Sequence, residues 1–410
     1  MEVMHDACAG LDVHKDTVVA CVRKAHGREV RRQTRTFMTD TKSLIELFDW
    51  LAAEGCTHVV MESTGVYWKP VWRVLEGGFE LVLANATAVK NVPGRKSDVN
   101  DAQWLADLLA HGLVQGSLVP DERGQDLRDL TRTRKQLVRE QTQHRQRLQR
   151  VLERCNIKLA SVVSDITGAS GRAIIEAIIA GERNPSKLAD LASEQLKGKK
   201  WLPMAKSLRG AVRPHDVFML GLHLRALDAL QLEVEAIGAR LATVLDESFQ
   251  EAIRKLETIP GVSTRVAETI VAEVGIRMSA FRTSGHLVSW AGLCPRMDES
   301  AGKRRDTRVR KGAPWLKTML VQSAWSAVRK EGSYLRARFL RIKARRGAMK
   351  AIVAVAAKIL TAIYYMLRDD VEYHDLGASH LDQLDRARTT RRHVRQLEAL
   401  GYSVELKSAA

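Results

Sequence analysis

Five cysteines are few for a chain of 410 residues, and Cys8, Cys21, Cys56, Cys155 and Cys294 are far apart with no C-x-x-C pair. Their odd number and spacing exclude a disulfide framework and a cysteine zinc site, and fit a reducing cytoplasm. The N-terminus carries Glu2 and Asp6 with no apolar h-region, so no secretory signal is expected. Ala351 to Leu367, the longest apolar stretch, is interrupted by Lys358. It is shorter than a comfortable membrane span and reads as a buried helix, so no membrane partner is expected. Aromatic residues make up only 5%, so base stacking is not expected to dominate binding.

What is abundant is positive charge. Lys plus Arg number 65 against 48 Asp plus Glu, a formal net charge of +17. That balance points to a polyanionic partner, nucleic acid being the commonest, held chiefly through phosphates. Hydrophobic residues at 45% and charged residues at 28% are ordinary for a globular protein, and the length suits two or three domains.

The first third alternates strand and helix patterns. Ala7 to Val13, Thr17 to Val22 and Arg31 to Met38 read as strands. Ser43 to Ala53 has helical periodicity through Leu44, Leu47, Phe48 and Leu51, with Ser43 as N-cap and Gly55 as stop. His58 to Met61, ending at Glu62, and Glu80 to Ala84 read as further strands, with a helix from Tyr67 to Leu75 between them. Ser97 to Ala110 is a strong helix pattern with Asp98 in its first turn. Three hairpin-like strands followed by αβαβα is the element order of a ribonuclease H-like domain, with a mixed sheet.

From Gly124 to Asn156 the chain is long, polar and helical. Ten Lys/Arg and four Asp/Glu lie between Arg123 and Arg154. This is either a solvated face or a basic helix laid along phosphates, with Arg132, Arg134 and Lys135 as contacts. Residues 157–214 read as short helices. Leu227, Leu230, Val234, Ile237, Leu241 and Val244 form an a/d seam that packs on another helix, in the chain or across a dimer. Leu256 to Val274 reads as helix, turn, helix around Ile259-Pro260-Gly261-Val262-Ser263. This is either a plain helical hairpin or a helix-hairpin-helix whose amides, Gly261 included, meet a phosphate. Residues 301–350 hold sixteen Lys/Arg against Asp306 and Glu331, most of the net charge of the chain. This block is expected to hold nucleic acid, through Lys303, Arg304, Arg305, Arg308, Arg310 and Lys311.

Four carboxylates stand out: Asp12 and Glu62 at strand ends, and Asp98 and Asp101 three apart on one helix face. In a ribonuclease H-like sheet these positions converge. Their mutual repulsion calls for divalent cations, and a two-metal Mg²⁺ site would bridge a scissile phosphate. Asp98 as a helix cap and Asp101 paired with Arg95 or Lys96 is the blander reading. Asp16, Asp40 and Asp107 are second-rank candidates. Ser300, in a small-residue loop between the helical hairpin and the basic block, is a candidate nucleophile. His286 is the nearest histidine in sequence, so metal activation of its hydroxyl is the economical route. Cys294 reads as a small buried hydrophobe.

The blocks Gly10-Leu11-Asp12-Val13-His14-Lys15, Met61-Glu62-Ser63-Thr64-Gly65, Lys96-Ser97-Asp98-Val99-Asn100-Asp101-Ala102, Ile259-Pro260-Gly261-Val262 and Ala291-Gly292-Leu293-Cys294-Pro295 resemble the signature blocks of the insertion-sequence-110 family of bacterial transposases, of DEDD type. The resemblance covers roughly residues 5–155 and 250–345, in order. It implies an α/β plus all-α chain: a RuvC-like nuclease domain (1–125), a helical coiled-coil connector (126–250), a mainly helical transposase domain with an essential serine (251–350) and a helical tail (351–410). It places the DEDD tetrad on Asp12, Glu62, Asp98 and Asp101 and the serine on Ser300. Family members commonly have Ser-Gly there, whereas Ala301 precedes Gly302 in this chain. It also implies a structured noncoding (bridge) RNA joining double-stranded donor and target DNA, and homodimers that pair into tetramers. The expected function is an RNA-guided DNA recombinase. Its rivals are a hydrolytic Holliday-junction-type endonuclease and a non-catalytic DNA- or RNA-binding protein.

Overall fold

The computed structural model describes residues 3–406 except 28, 63–64, 85–88, 90–100, 115, 296–297, 301, 307 and 310–311, with the backbone alone at 199, 298–300, 303–306, 382, 384–385 and 387–389. The chain divides into two compact units, Met1–Pro120 and Asp121–Ala410.

Unit 1 is α/β. Strands β1 (Ala7–Val13), β2 (Thr17–His26) and β3 (Glu29–Met38) form an antiparallel meander. β4 (His58–Glu62) and β5 (Glu80–Ala84) add parallel to β1, giving the order β3-β2-β1-β4-β5. Strand side chains alternate, and each face has its own helices. Ala9, Leu11, Val13, Val59 and Met61 pack with Leu44, Leu47 and Leu51 of α1 (Thr41–Ala53) and with Val71 and Leu75 of α2 (Trp68–Leu75). On the opposite face, Cys8, Val60 and Ala84 pack with Leu105, Leu108 and Leu109 of α3 (Asp101–Ala110). The outer strand β3 is almost wholly exposed and carries Arg31, Arg32 and Arg35, charge of the kind that disfavours edge-to-edge pairing.

Two local expectations change. The N-cap of α1 is Asp40, not Ser43: the Asp40 carboxylate accepts from the Ser43 amide at 3.1 Å and from its hydroxyl at 2.7 Å. Both residue types can cap; the one whose oxygen reaches the third amide does so. These hydrogen bonds from Ser43 hold the Asp40 carboxyl below its usual range. The helix pattern from Ser97 is described only from Asp101 onward.

Gly10 sets the distance between β1 and α3. A methyl group there would lie 2.2 Å from the Ala102 carbonyl oxygen and 2.5 Å from the Ala106 nitrogen. The C-terminal end of α3 is fixed near the start of β1, where the Ala110 carbonyl accepts from the Met4 amide at 2.8 Å. The helix therefore runs antiparallel to β1. A second tie is ionic: Arg23 of β2, 3% exposed, donates from Nε to Asp107 at 3.0 Å, and Arg32 of β3 donates to the same carboxylate at 2.9 Å.

Unit 2 is mostly helical. α4 (Glu122–Arg154), capped by Asp121, and α8 (Pro214–Val244) are long partners. Arg154 meets Asp216, Gln141 meets Gln231, and Arg123 meets Asp246 just beyond α8, so the pair is antiparallel. The a/d seam packs within the chain: Leu227, Val234 and Leu241 are buried, while Leu230, Ile237 and Val244 are half-buried. Where α4 and α8 meet at one end, their Leu148, Leu152, Leu220 and Leu224 share a core with α5 (Ala169–Ile179), α6 (Pro185–Asp190) and α7 (Glu194–Ser207). Beyond α8 come α9 (Glu247–Glu257), α10 (Thr264–Val274), α11 (Ser284–Trp290), α12 (Pro314–Ala327), α13 (Tyr334–Arg346), α14 (Ala348–Asp369) and α15 (His380–Ala399). α14 is long and apolar enough to cross a membrane by composition, but Ala351, Ile352, Val355, Ile359 and Ile363 are buried in this unit, as expected for a core helix.

The segment expected to be a loop around Ser300 is instead a two-stranded hairpin, β6 (Asp298–Ser300) and β7 (Lys303–Asp306), with Ser300 opposite Lys303. Gly302, at φ 74°, supplies the left-handed turn residue that closes so short a connection.

Two measurements test these contacts. Gly10→Ala overpacks the β1–α3 contact and should cost about 1–3 kcal/mol in urea unfolding, whereas Gly77→Ala, with open space around it, should lose only the turn preference. Asp216 accepts from Arg213 and Arg154, and those guanidiniums hold its carboxyl well below the usual range. Its contribution is therefore complete above about pH 4 and is lost as pH falls toward the depressed folded value. Unfolding midpoints below about pH 4 should decline less steeply in Asp216→Asn than in wild type.

Candidate functional site

Asp12 is the last residue but one of β1, and Glu62 is the last of β4. The two strands are parallel neighbours with Leu11 opposite Met61, so the next positions along the register are Asp12 and Glu62. Alternation places Asp12 on the Gly10 face and Glu62 on the Val60 face, the side covered by α3. Because α3 runs antiparallel to β1, its first residue, Asp101, comes to the same end of the sheet. Two strand ends and one helix start thus deliver three of the four expected carboxylates to one region, while Asp98 lies outside the described residues.

Asp12 is partly exposed and its Oδ2 lies 3.2 Å from Nε2 of His14, two residues on. Glu62 and Asp101 each have interactions of their own. Among the described residues no three His, Cys, Asp or Glu side chains come together as a metal cluster. The donor chemistry fits a hard divalent cation all the same: the groups brought to this end are carboxylates, the oxygen ligands that Mg²⁺ prefers. The second-rank acids have other work. Asp40 caps α1, Asp107 is bound by Arg23 and Arg32, and Asp16 sits in the exposed turn between β1 and β2.

The thiols offer no rival chemistry in unit 1. Burial pushes Cys8 up to about 11 and Cys56 up to about 12, away from the thiolate form a nucleophile needs.

In unit 2, Lys303, Arg304 and Arg305 lie on β7, directly across the hairpin from the Ser300 strand. Arg308 follows and is exposed; Arg310 and Lys311 lie outside the described residues. The helical hairpin is present as α9 and α10. Gly261 in its turn has φ 83°, and a Cβ there would lie 2.4 Å from the Ser323 carbonyl oxygen of α12. Glycine at this position is therefore required by packing. The turn borders a shallow open recess that Ser263, Gln322 and Ser326 help to line.

The basic residues near the start of α4 face inward. Arg132 makes a bidentate pair with Glu273 of α10 at 2.7 and 2.8 Å. Arg128 donates to the Ala272 carbonyl at 3.1 Å and to the Glu273 carbonyl at 2.5 Å. Arg134, itself buried, pairs with Glu268 at 2.6 Å. Lys135 donates to the Trp315 carbonyl at 3.3 Å. Burial lowers Arg128 to about 10, with the Glu273 carboxylate opposing that shift. Glu273 is fully buried and was not among the residues singled out from sequence. Its signal was an acid inside the apolar run Val271-Ala272-Glu273-Val274, which a solvated helix face would not require.

Comparison with known proteins gives two family matches and one relative that agree. Residues 9–157 match a family model described as a transposase, of the DEDD type of IS110 elements. Residues 253–340 match the model of the transposase IS116/IS110/IS902 family. A protein of Pseudomonas aeruginosa described as a probable family 20 transposase is 24% identical over 327 residues, covering 77% of this chain and 85% of its own length.

Removing one member of a buried ion pair leaves the other uncompensated. Glu273→Gln should therefore destabilise unit 2 by about 3 kcal/mol or more in chemical denaturation, against less than about 1 kcal/mol for neutralising the exposed Glu194.

Proposed function

This chain belongs to the IS110 family of transposases, and on that footing we propose that it is an RNA-guided DNA recombinase that excises and inserts its own mobile element. The observation that carries the reading is the delivery of Asp12, Glu62 and Asp101 to one end of the sheet by two adjacent parallel strands and the antiparallel helix α3. The order β3-β2-β1-β4-β5, antiparallel in its first half and parallel in its second, supports a ribonuclease H-like, RuvC-like assignment for unit 1.

In this reading Asp12, Glu62, Asp98 and Asp101 hold Mg²⁺, which when bound supplies Lewis-acid polarisation of a phosphate. His14 orients the Asp12 carboxylate through its Nε2 contact. The Ser300 hydroxyl oxygen forms a bond to the scissile phosphorus as the bond from phosphorus to one deoxyribose oxygen breaks. The serine proton passes to water, and the leaving oxygen takes a proton from water to become a free deoxyribose hydroxyl. The resulting phosphoserine ester keeps the energy of the broken phosphodiester, so attack by a new deoxyribose hydroxyl restores the backbone without a nucleotide cofactor and regenerates Ser300. Lys303, Arg304, Arg305, Arg308, Arg310 and Lys311 hold DNA phosphates beside the serine strand. A structured RNA pairing with donor and target DNA, and dimers that associate into tetramers, complete the proposal. Arg132 and Arg134 are assigned to internal support, since Glu273 and Glu268 already meet their charge.

A trapping experiment tests this. Protein, flanking-sequence RNA, donor and target DNA and Mg²⁺ are quenched in detergent and resolved for covalent protein–DNA adducts. The expected result is a metal-dependent adduct in wild type, absent in Ser300→Ala and in Asp12→Asn. Strand cleavage that persists unchanged in Ser300→Ala, with no adduct, would identify a hydrolytic endonuclease instead.

A further inference from the structure

Arg132 and Arg134 of α4 find acids, whereas two cations beside Trp315 make no ion pair among the described residues. The indole ring of Trp315, in the first turn of α12, has three cationic groups near it. The Arg139 guanidinium lies 5.4 Å from the ring centroid, the Lys135 ammonium 5.6 Å and the Arg132 guanidinium 5.9 Å. Arg132 is neutralised by Glu273. Among the described residues, neither Lys135 nor Arg139 makes an ion pair: the Lys135 ammonium donates only to the Trp315 carbonyl, and Arg139 is exposed. The two are four apart on one helix, where like charges repel. Burial, with Arg139 next to it, pushes the Lys135 ammonium below its ordinary value. Attraction to an aromatic face offsets about 0.5–1 kcal/mol per cation at such sites and neutralises no charge. The ring therefore gathers two positive charges that make no ion pair of their own among the described residues, although the Glu273 carboxylate favours the charged form of Lys135 from a distance.

Resting on the nucleic-acid reading above, we propose that Lys135, Arg139 and Trp315 form a clamp for a backbone phosphate of the nucleic acid this protein holds. The ligand class follows from the geometry. The cations sit around the indole, which leaves the ring as their platform and not as a stacking surface for a base. A single diester anion placed between an ammonium and a guanidinium fork relieves their repulsion and satisfies both. The clamp belongs to the same segment as the proposed nucleophile, with Trp315 fifteen residues beyond Ser300 and joined to it through β7. It also divides the basic helix by role: Arg128, Arg132 and Arg134 brace α4 against α10, and Lys135 and Arg139 take a phosphate.

The test measures binding of full-length wild type, Arg139→Gln, Lys135→Gln/Arg139→Gln and Trp315→Leu to a DNA duplex and to an RNA hairpin of matched length, between about 50 and 200 mM KCl. Arg209→Gln, an exposed arginine remote in sequence, is the charge control. The clamp holds one phosphate, so its complete loss in the double variant should lower the slope of log K against log[KCl] by about 1, and Arg139→Gln should give part of that change. Trp315→Leu should keep the slope shift of a partly lost contact, and Arg209→Gln should match wild type. A slope change confined to the duplex assigns the clamp to DNA, and one confined to the hairpin assigns it to RNA. Wild-type slopes in the double variant on both ligands would overturn the clamp while leaving the wider reading intact. Failure of wild type to bind either ligand would overturn the nucleic-acid reading and the clamp with it. Arg139 is exposed, so its single variant keeps the test interpretable even if substitution at Trp315 disturbs folding.

Discussion

The absence of a side chain at Gly10 is the constraint from which the arrangement of unit 1 follows. Because no Cβ intervenes, the backbone of α3 lies directly on β1 at Ala102 and Ala106. That close approach fixes how the described part of the helix, from Asp101 onward, lies on the strand. Asp12, two residues on from Gly10, lies on the face that α3 covers, and Glu62 lies on the same face because β4 is in register with β1. The Arg23–Asp107–Arg32 tie holds the rest of α3 to the meander, so the helix is constrained along its length. Packing at one glycine and charge pairing further along the helix thus act together to fix α3 on the sheet.

Unit 2 handles the opposite charge in a comparable way. A helix as basic as α4 would be disfavoured against another basic surface. Its first turns instead carry arginines that plug into Glu273 and Glu268, with Thr131 returning its hydroxyl to its own helix. Guanidinium groups suit this because the planar fork matches a carboxylate and stays charged when half-buried. The fully buried Glu273 and its arginine partner add little over an apolar pair of the same shape, yet removing either partner alone is costly because the other charge stays uncompensated.

The sequence made the elements of unit 1 readable because period-two and period-3.6 patterns are local, and each run of Val, Ile and Leu is long enough to register. The positions of Asp12 and Glu62 at strand ends were readable for the same reason, because the strand patterns stop at them. Other features depend on information that no local window holds. Ser43 and Asp40 are equally good caps on paper, and only the path of the chain decides which oxygen reaches the amide. The β6–β7 hairpin was missed because strands of three and four mostly charged residues show no apolar alternation and their connection turns at Gly302. The inward direction of Arg132 is set by a partner 141 positions away, so a count of basic residues could not tell a brace from a contact.

The length of α4 has a geometric consequence of its own. At about 1.5 Å per residue, an uninterrupted helix of 33 residues is a rod of about 50 Å. Near its start the rod is pinned by ion pairs to α10, and at its far end it carries the small helical cluster built on Leu148 and Leu152. Duplex DNA rises about 3.4 Å per base pair, so the rod matches about fifteen base pairs, more than one turn of the double helix. It is a ruler built into the chain: anything contacted at its two ends is separated by a distance that hydrogen bonds, and not a flexible linker, define.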